Sequence, residues 1–257
     1  MRPNPVKDKL KNGEIVINGW LHIPSTWSAE VMANAGWDSV TVDMQHGMMG
    51  IETAIGMLQA ISTTDTVPFL RVNWNEPGII MKMLDGGAYG IICPMVDTPE
   101  QAQAFIDAVR YPPLGERSLG PTRARVYAGM DYAEHANDTV LAFAMVETAT
   151  GLENVEAIAA TPGLDGIFVG AGDLRFSLFG EVGLDGSSDT FKDALRRILS
   201  ACKDAGITPG IFCASTDYAH QMIDMGFKFL TIKSDTLILT EVAAQLVEAV
   251  RNPKENQ

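Results

Sequence analysis

The chain has 257 residues, 46% of them hydrophobic and 20% charged, with a formal net charge of −13. That is enough apolar material for one substantial core, and the acidity argues against nucleic acid or an anionic membrane as a partner. No apolar stretch approaches the roughly 20 residues of a membrane span, the N-terminal MRPNPVKDKLKNGE lacks the apolar core of a secretion signal, and Cys93, Cys202 and Cys213 show no metal-type spacing, so a reduced cytoplasm is the expected location.

Strand-like and helix-like segments alternate along the chain. A first strand is predicted over Ile15 to His22 and a helix over Ser28 to Ala35. Ser39 to Asp43 reads as a strand and Ile51 to Ile61 as a helix. Val67 to Arg71 is the third strand, and Pro77 to Leu84 a helix with proline at its first turn. Tyr89 to Cys93 is the fourth strand, followed by a helix over Pro99 to Val109. The stretch from Tyr111 to Asn137 is the longest irregular region and is rich in Arg, Gly, Pro and Tyr; a loop of that length is often functional. The fifth strand runs from Val140 to Val146 and ends at Glu147, with a helix over Thr150 to Ala160. The sixth covers Gly166 to Gly170. A long helix spans Asp189 to Ala205, Thr208 to Cys213 is the seventh strand, and Tyr218 to Met225 its helix. Phe227 to Ile232 is the eighth strand and Thr236 to Val250 the last helix.

Eight such repeats, with β-branched residues in continuous runs, predict parallel strands buried on both faces. A closed (β/α)8 TIM barrel forming a single domain satisfies this pattern at about the usual length. A doubly wound open sheet would normally carry a glycine-rich fingerprint after its first strand, and Trp20-Leu21-His22-Ile23-Pro24 is not one.

In such a barrel the C-terminal strand ends share one face, where the active site lies. Glu147 and Asp173 follow the fifth and sixth strands. A carboxylate just past a buried strand needs a partner, and two of them without clustered His or Cys favour Mg²⁺ or Mn²⁺ over a closed zinc site. Taken singly, Asp173 is also a helix N-cap and Glu147 a helix-dipole partner. His46, after the second strand and near Asp43, is the candidate general base, because imidazole titrates near neutral pH. His22, His135 and His220 have weaker claims. Arg71 ends an apolar strand and needs an anion, either a substrate carboxylate or enolate or the rim acid Asp43. Gly170-Ala171-Gly172 either lets backbone N–H groups approach an anion or simply permits a turn.

At these residues the chain resembles the HpcH/HpaI aldolase family, class II pyruvate aldolases of the 4-hydroxy-2-oxoheptanedioate type with a phosphoenolpyruvate/pyruvate-domain barrel. The similarity runs through Asp43-Met44-Gln45-His46-Gly47, Leu70-Arg71-Val72-Asn73-Trp74, Arg110-Tyr111-Pro112-Pro113-Leu114-Gly115-Glu116-Arg117, Val146-Glu147-Thr148 and Gly163 to Leu174. It covers nearly the whole chain, and the order and spacing of the motifs are more specific than any one of them. The resemblance implies a barrel whose last helix is exchanged between neighbours in a homohexamer, a trimer of dimers. It implies Glu147 and Asp173 as ligands of a divalent metal (Mg²⁺, Mn²⁺ or Co²⁺), His46 as base, Arg71 as the pyruvate-binding arginine, and Asp43 and Asp85 as acids near the site, Asp85 reaching across a subunit boundary. Ala171 and Gly172 would hold the pyruvate carboxylate, and Trp20 would line the pocket. The implied reaction is reversible aldol cleavage of a 4-hydroxy-2-oxo acid to pyruvate, or a close 2-oxo acid, and an aldehyde.

The chain departs from the family pattern at Gln45, where Glu is common, at Met145, where Gln is common, and in the turn Gly170-Ala171-Gly172-Asp173, followed by Arg175-Phe176. These positions bear on metal preference and on the choice of aldehyde. Alternatives are a citrate-lyase-like cleavage of a related acid or CoA ester, for which the acidic chain offers no basic groove, and a non-catalytic barrel that binds keto acids. Lys233, after the eighth strand, keeps a Schiff-base route open. Arg123, Arg125 and Tyr132 in the 119–135 loop are candidates for the aldehyde end, favouring an acidic acceptor or serving as rim charges.

Overall fold

Short apolar runs become strands because both of their faces are covered, and capping residues decide where each helix starts. A computed structural model describes residues 1–186 and 188–252. Its elements, in order, are α1 (Pro5–Lys11), β1 (Val16–Leu21), α2 (Thr26–Ala33), β2 (Ser39–Asp43), α3 (Ile51–Ile61), β3 (Val67–Arg71), α4 (Pro77–Asp85), β4 (Gly90–Cys93), α5 (Pro99–Val109), α6 (Thr122–Ala128), α7 (Tyr132–Thr139), β5 (Leu141–Val146), α8 (Ala149–Glu153), α9 (Val155–Ala159), β6 (Gly166–Val169), α10 (Ala171–Phe179), α11 (Asp189–Ala205), β7 (Thr208–Cys213), α12 (Thr216–Met225), β8 (Phe229–Ile232) and α13 (Asp235–Arg251). The eight strands are parallel and close into a barrel in sequence order, β8 pairing back onto β1. The chain is thus a (β/α)8 barrel.

Register explains how the barrel fills. Phe69 stands opposite Gly90, Phe143 opposite Gly166, and Gly210 lies between Phe168 and Phe229. A Cβ at Gly90 would sit 2.1 Å from the Phe69 ring, and one at Gly166 would sit 2.4 Å from the Phe143 ring. Each glycine makes room for the phenylalanine on the neighbouring strand. Phe69, Phe143, Phe168 and Phe229 then meet at the centre, with centroids 5.0–6.4 Å apart. A satisfied polar cluster sits beside them. Asn18 donates to Thr231 Oγ1 (2.9 Å), and its Oδ1 accepts from Ser39 (2.8 Å) and Thr41 (3.1 Å).

Several helices begin where local chemistry dictates. Thr98 and Gln101 form a reciprocal capping box on α5, Glu76 caps α4 with Pro77 in its first turn, and Ser215 and Ser234 cap α12 and α13. Four segments differ from the sequence expectation. The 111–137 stretch is not wholly irregular but contains α6 and α7. The helix expected over Thr150 to Ala160 is split at Asn154, whose side chain is drawn to the Asp97 carbonyl at 2.8 Å. An unforeseen helix appears at α1, capped by Asn4, and α10 starts at Ala171, two residues before Asp173, which the sequence offered as a helix N-cap. The three cysteines are free and buried, as ordinary core residues.

α13 departs from the barrel after its first turn. Leu239, Val242, Leu246, Val247 and Val250 are all exposed along it. No helix is long and apolar enough to cross a membrane among the described residues.

Candidate active site

One carboxylate organises the C-terminal rim. Asp43 closes β2 and is fully buried. Its Oδ1 accepts from Arg71 Nε (2.8 Å) and from the backbone N–H of Gln45 (3.0 Å) and His46 (3.4 Å). Its Oδ2 accepts from Arg71 Nη2 (2.5 Å), His22 Nε2 (2.9 Å) and Trp20 Nε1 (3.1 Å). Burial alone would push this carboxyl up, but the donors of His22, Arg71 and Trp20 outweigh it and hold it well below the usual carboxylate range. Asp43 is therefore a fixed anion that aims its neighbours, not a proton acceptor.

The sequence left Arg71 between an ion pair with Asp43 and a ligand anion. The structure contains the ion pair and leaves part of the guanidinium over. Nε and Nη2 fork onto Asp43, whereas Nη1 meets only the Met145 sulfur, a weak acceptor 3.9 Å away, among the described residues. Arg71 also lies over the Trp20 ring at 4.9 Å, and that ring stacks on Phe168 and meets Phe212 edge-on.

Across the rim, Glu147 is 2% exposed. Met95, held at φ +55°, turns its N–H onto Glu147 Oε1 at 2.8 Å. That conformation is unfavourable for a side-chain-bearing residue and clusters at functional sites. Oε2 is turned to Gly170, where a Cβ would lie 2.4 Å away, so the end of β6 approaches this closely only as glycine. Burial pushes the Glu147 carboxyl up to about 7; the Met95 N–H opposes that and the charge of Asp173 adds to it. Asp173 is exposed in the first turn of α10. A buried carboxylate with no salt-bridge partner among the described residues, beside a second acid, suits a hard divalent cation completed by water and substrate oxygens. No cluster of three or more His, Cys, Asp or Glu exists among the described residues, which leaves these two oxygen donors.

A cavity of about 320 Å³ opens at this rim, large enough for a small ligand. Trp20, His46, Arg71, Glu147, Ala171, Gly172 and Asp173 all line it, and Asp43 stands behind them as support. His46 is exposed with no side-chain partner among the described residues. The N-terminus of α10 carries no side-chain cap, so the N–H groups of its first turn have no capping side chain, and Ala171 and Gly172 line the cavity. Asp85 is not in the cavity of its own chain. It lies at the far end of α4, 2.8 Å from Arg117 Nη2, and Arg117 is buried against Tyr111 and Tyr132. Arg123 is held by the Gly86 carbonyl and Ser62, and neither it nor Arg125 lines the cavity. Lys233 pairs with Glu241, and no lysine lines the cavity among the described residues, so a Schiff-base lysine has no support.

Sequence reasoning set His22 aside, yet it lines the cavity with Met145, Leu184, Phe212, Thr236 and Leu237. The available signal was its spacing. Residues i and i+2 of a strand share a face, and His22 continues the face of Trp20.

Comparison with known proteins places the chain in one family. The family model "HpcH/HpaI aldolase/citrate lyase" matches residues 19–241. The chain is 37% identical to a hydroxypyruvate/pyruvate aldolase of Rhizorhabdus wittichii, over 96% of this chain and 99% of that protein. It is 34% identical to a 4-hydroxy-2-oxo-heptane-1,7-dioate aldolase of Klebsiella pneumoniae, over 95% and 92%. A crystal structure of an HpcH/HpaI aldolase/citrate lyase family protein from Burkholderia cenocepacia superposes with a TM-score of 0.90 at 34% identity, over 96% and 99% of the two chains.

Proposed function

Because the chain belongs to the HpcH/HpaI aldolase/citrate lyase family and is a carbon–carbon lyase of the aldolase type, we propose that it catalyses reversible cleavage of a 4-hydroxy-2-oxo acid into pyruvate, or a close 2-oxo acid such as hydroxypyruvate, and an aldehyde. The observation that carries this reading is the meeting in one cavity of the Asp43-aimed Arg71, His46, and the carboxylates Glu147 and Asp173.

In this reading Glu147 and Asp173 hold a divalent cation, Mg²⁺, Mn²⁺ or Co²⁺, which supplies Lewis acidity toward the 2-oxo acid when bound. The free N–H groups of Ala171 and Gly172 take the substrate carboxylate at the positive end of α10. Trp20 and Phe212 wall the site against water. His46 accepts the C4 hydroxyl proton as the C3–C4 bond breaks. The O–H pair left on oxygen becomes the second bond of the aldehyde carbonyl, the C3–C4 pair becomes the C2–C3 double bond, and the C2 carbonyl π pair moves onto its oxygen to give the pyruvate enolate. The Nη1 donor of Arg71 then faces the enolate oxygen, where charge develops. The proton held by His46 returns at C3 to give pyruvate.

The exposed apolar stripe of α13 supports exchange of this helix with a neighbouring copy in a cytoplasmic homohexamer, around a single-domain barrel. Asp85, clamped by Arg117 away from its own cavity, then completes a neighbour's site. The test is pyruvate release from a panel of 4-hydroxy-2-oxo acids with and without EDTA. Release that EDTA abolishes and Mg²⁺, Mn²⁺ or Co²⁺ restores is the expected result. No release with any metal would overturn the assignment.

A further inference from the structure

His22 stands between two parts of the protein that the reaction must keep in register. Its Nε2 lies 2.9 Å from Asp43 Oδ2, and its Nδ1 lies 3.2 Å from Thr236 Oγ1 in the first turn of α13. Its backbone N–H is held by Asp235 Oδ1 at 2.8 Å, and the next N–H, of Ile23, by Asp235 Oδ2 at 3.2 Å. Because Asp43 is an anion, the hydrogen-bond network assigns the Nε2 proton to face it, and Nδ1 is free to accept the Thr236 hydroxyl. The ring is therefore fixed at both nitrogens.

Asp43 Oδ2 serves three side-chain donors, and Arg71 Nη2 is one of them. The aim of Nη1 into the cavity depends on the carboxylate plane to which Nε and Nη2 are forked. His22 lines the cavity, as Trp20 and Arg71 do, and of the three donors it is the one that also bonds α13, through Thr236. We infer that His22 is a positioning residue for Arg71, acting through Asp43 and tying the arginine to the seat of α13. The inference rests on the reading of Arg71 as the enolate-binding group. It adds a device by which the placement of the last helix sets the geometry of the reaction centre.

The test uses the whole protein with Mg²⁺ and follows deuterium exchange at C3 of pyruvate by NMR, which reports enolate formation without any choice of aldehyde. His22→Phe keeps the ring volume and removes both nitrogens; His22→Gln restores a donor near the Nε2 position. His22→Phe is expected to slow exchange about tenfold, as for loss of one hydrogen bond to a charged group, with the KM for pyruvate changed less than about twofold. His22→Gln is expected to recover most of the rate. In an Asp43→Asn background the same His22→Phe change is expected to have almost no further effect, because the two residues act in series. A His22→Phe enzyme that exchanges at the wild-type rate would overturn the inference. So would an equal slowing in the Asp43→Asn background, or slowing by His22→Gln as severe as by His22→Phe. Absence of exchange in the wild type with any metal would instead count against the pyruvate reading. The positioning role is then judged from crystal structures. A His22→Phe protein in which Arg71 keeps its two bonds to Asp43 refutes it, and one in which the fork is lost supports it.

Discussion

Glu147→Gln should make the metal-free protein more stable, and only at high pH. Burial holds the Glu147 carboxyl at about 7, against an ordinary value of 4.5. The folded protein therefore keeps this proton at pH values where the unfolded chain has released it. The stability this group contributes is fully present below about pH 4.5 and is lost as pH rises through 7. The gap between the two values corresponds to about 3 kcal/mol per chain once the group is fully ionised. Glutamine occupies the same space, and its carbonyl oxygen can still accept from Met95, so the variant escapes that loss. In EDTA, at one fixed chain concentration, thermal melts of the two proteins should nearly coincide at pH 5. By pH 8.5 they should separate by something on the order of 5–10 °C in favour of the variant. Saturating Mg²⁺ at pH 8.5 should raise the wild type and leave the variant almost unmoved, since the cation relieves a charge that only the wild type carries. Parallel melting curves across the whole pH range would refute the reasoning, because Glu147 would then be no isolated buried charge and its claim on a cation would go with it.

Arg71→Lys loses the fork onto Asp43 together with the spare Nη1 donor, so kcat/KM for retro-aldol cleavage should fall about 10²–10³-fold, a range typical of removing a transition-state donor; a loss under tenfold, measured by pyruvate release, would discount the role. His46→Ala should lower kcat about 10²–10⁴-fold and leave the melting temperature in place, because this exposed side chain has no side-chain partner among the described residues. Gly90→Ala would put a Cβ 2.1 Å from the Phe69 ring and should destabilise the barrel by about 1–3 kcal/mol; adding Phe69→Leu in the same chain should recover part of that in urea titrations.

What could be read from the sequence alone divides along physical lines. The strands were legible because a parallel barrel buries both faces of each strand, and the resulting runs, such as Leu141–Val146, have no polar interruption. Helix starts were legible where a cap is local, as at Thr98 and Gln101, three residues apart. α1 was not legible, because it is short and polar and leans on the barrel through Asn4, which bonds to the Thr139 and Tyr89 carbonyls far along the chain. The start of α10 was legible only as an N-cap reading of Asp173, because Gly170 and Gly172 blur the pattern, and those same glycines leave its N-terminus approachable.

The site divides in the same way. Glu147, Asp173, His46 and Arg71 could be picked out because each sits at the end of a strand or just after it, and a barrel brings all such positions to one face. The pairing of Asp43 with Arg71 was one of two open readings, but the wider role of Asp43 was not legible. That residue reads as one more rim acid until six donors from three strand ends are seen to converge on it. His22 was missed for the matching reason, since its partners lie 21 residues away at Asp43 and 214 away at Thr236. Local pattern carries the type of a residue and the end of a strand at which it stands. Whether a carboxylate titrates or is pinned as an anion is decided by donors brought in from elsewhere, and here that distinction turns Asp43 from a candidate acid into the part that aims the arginine.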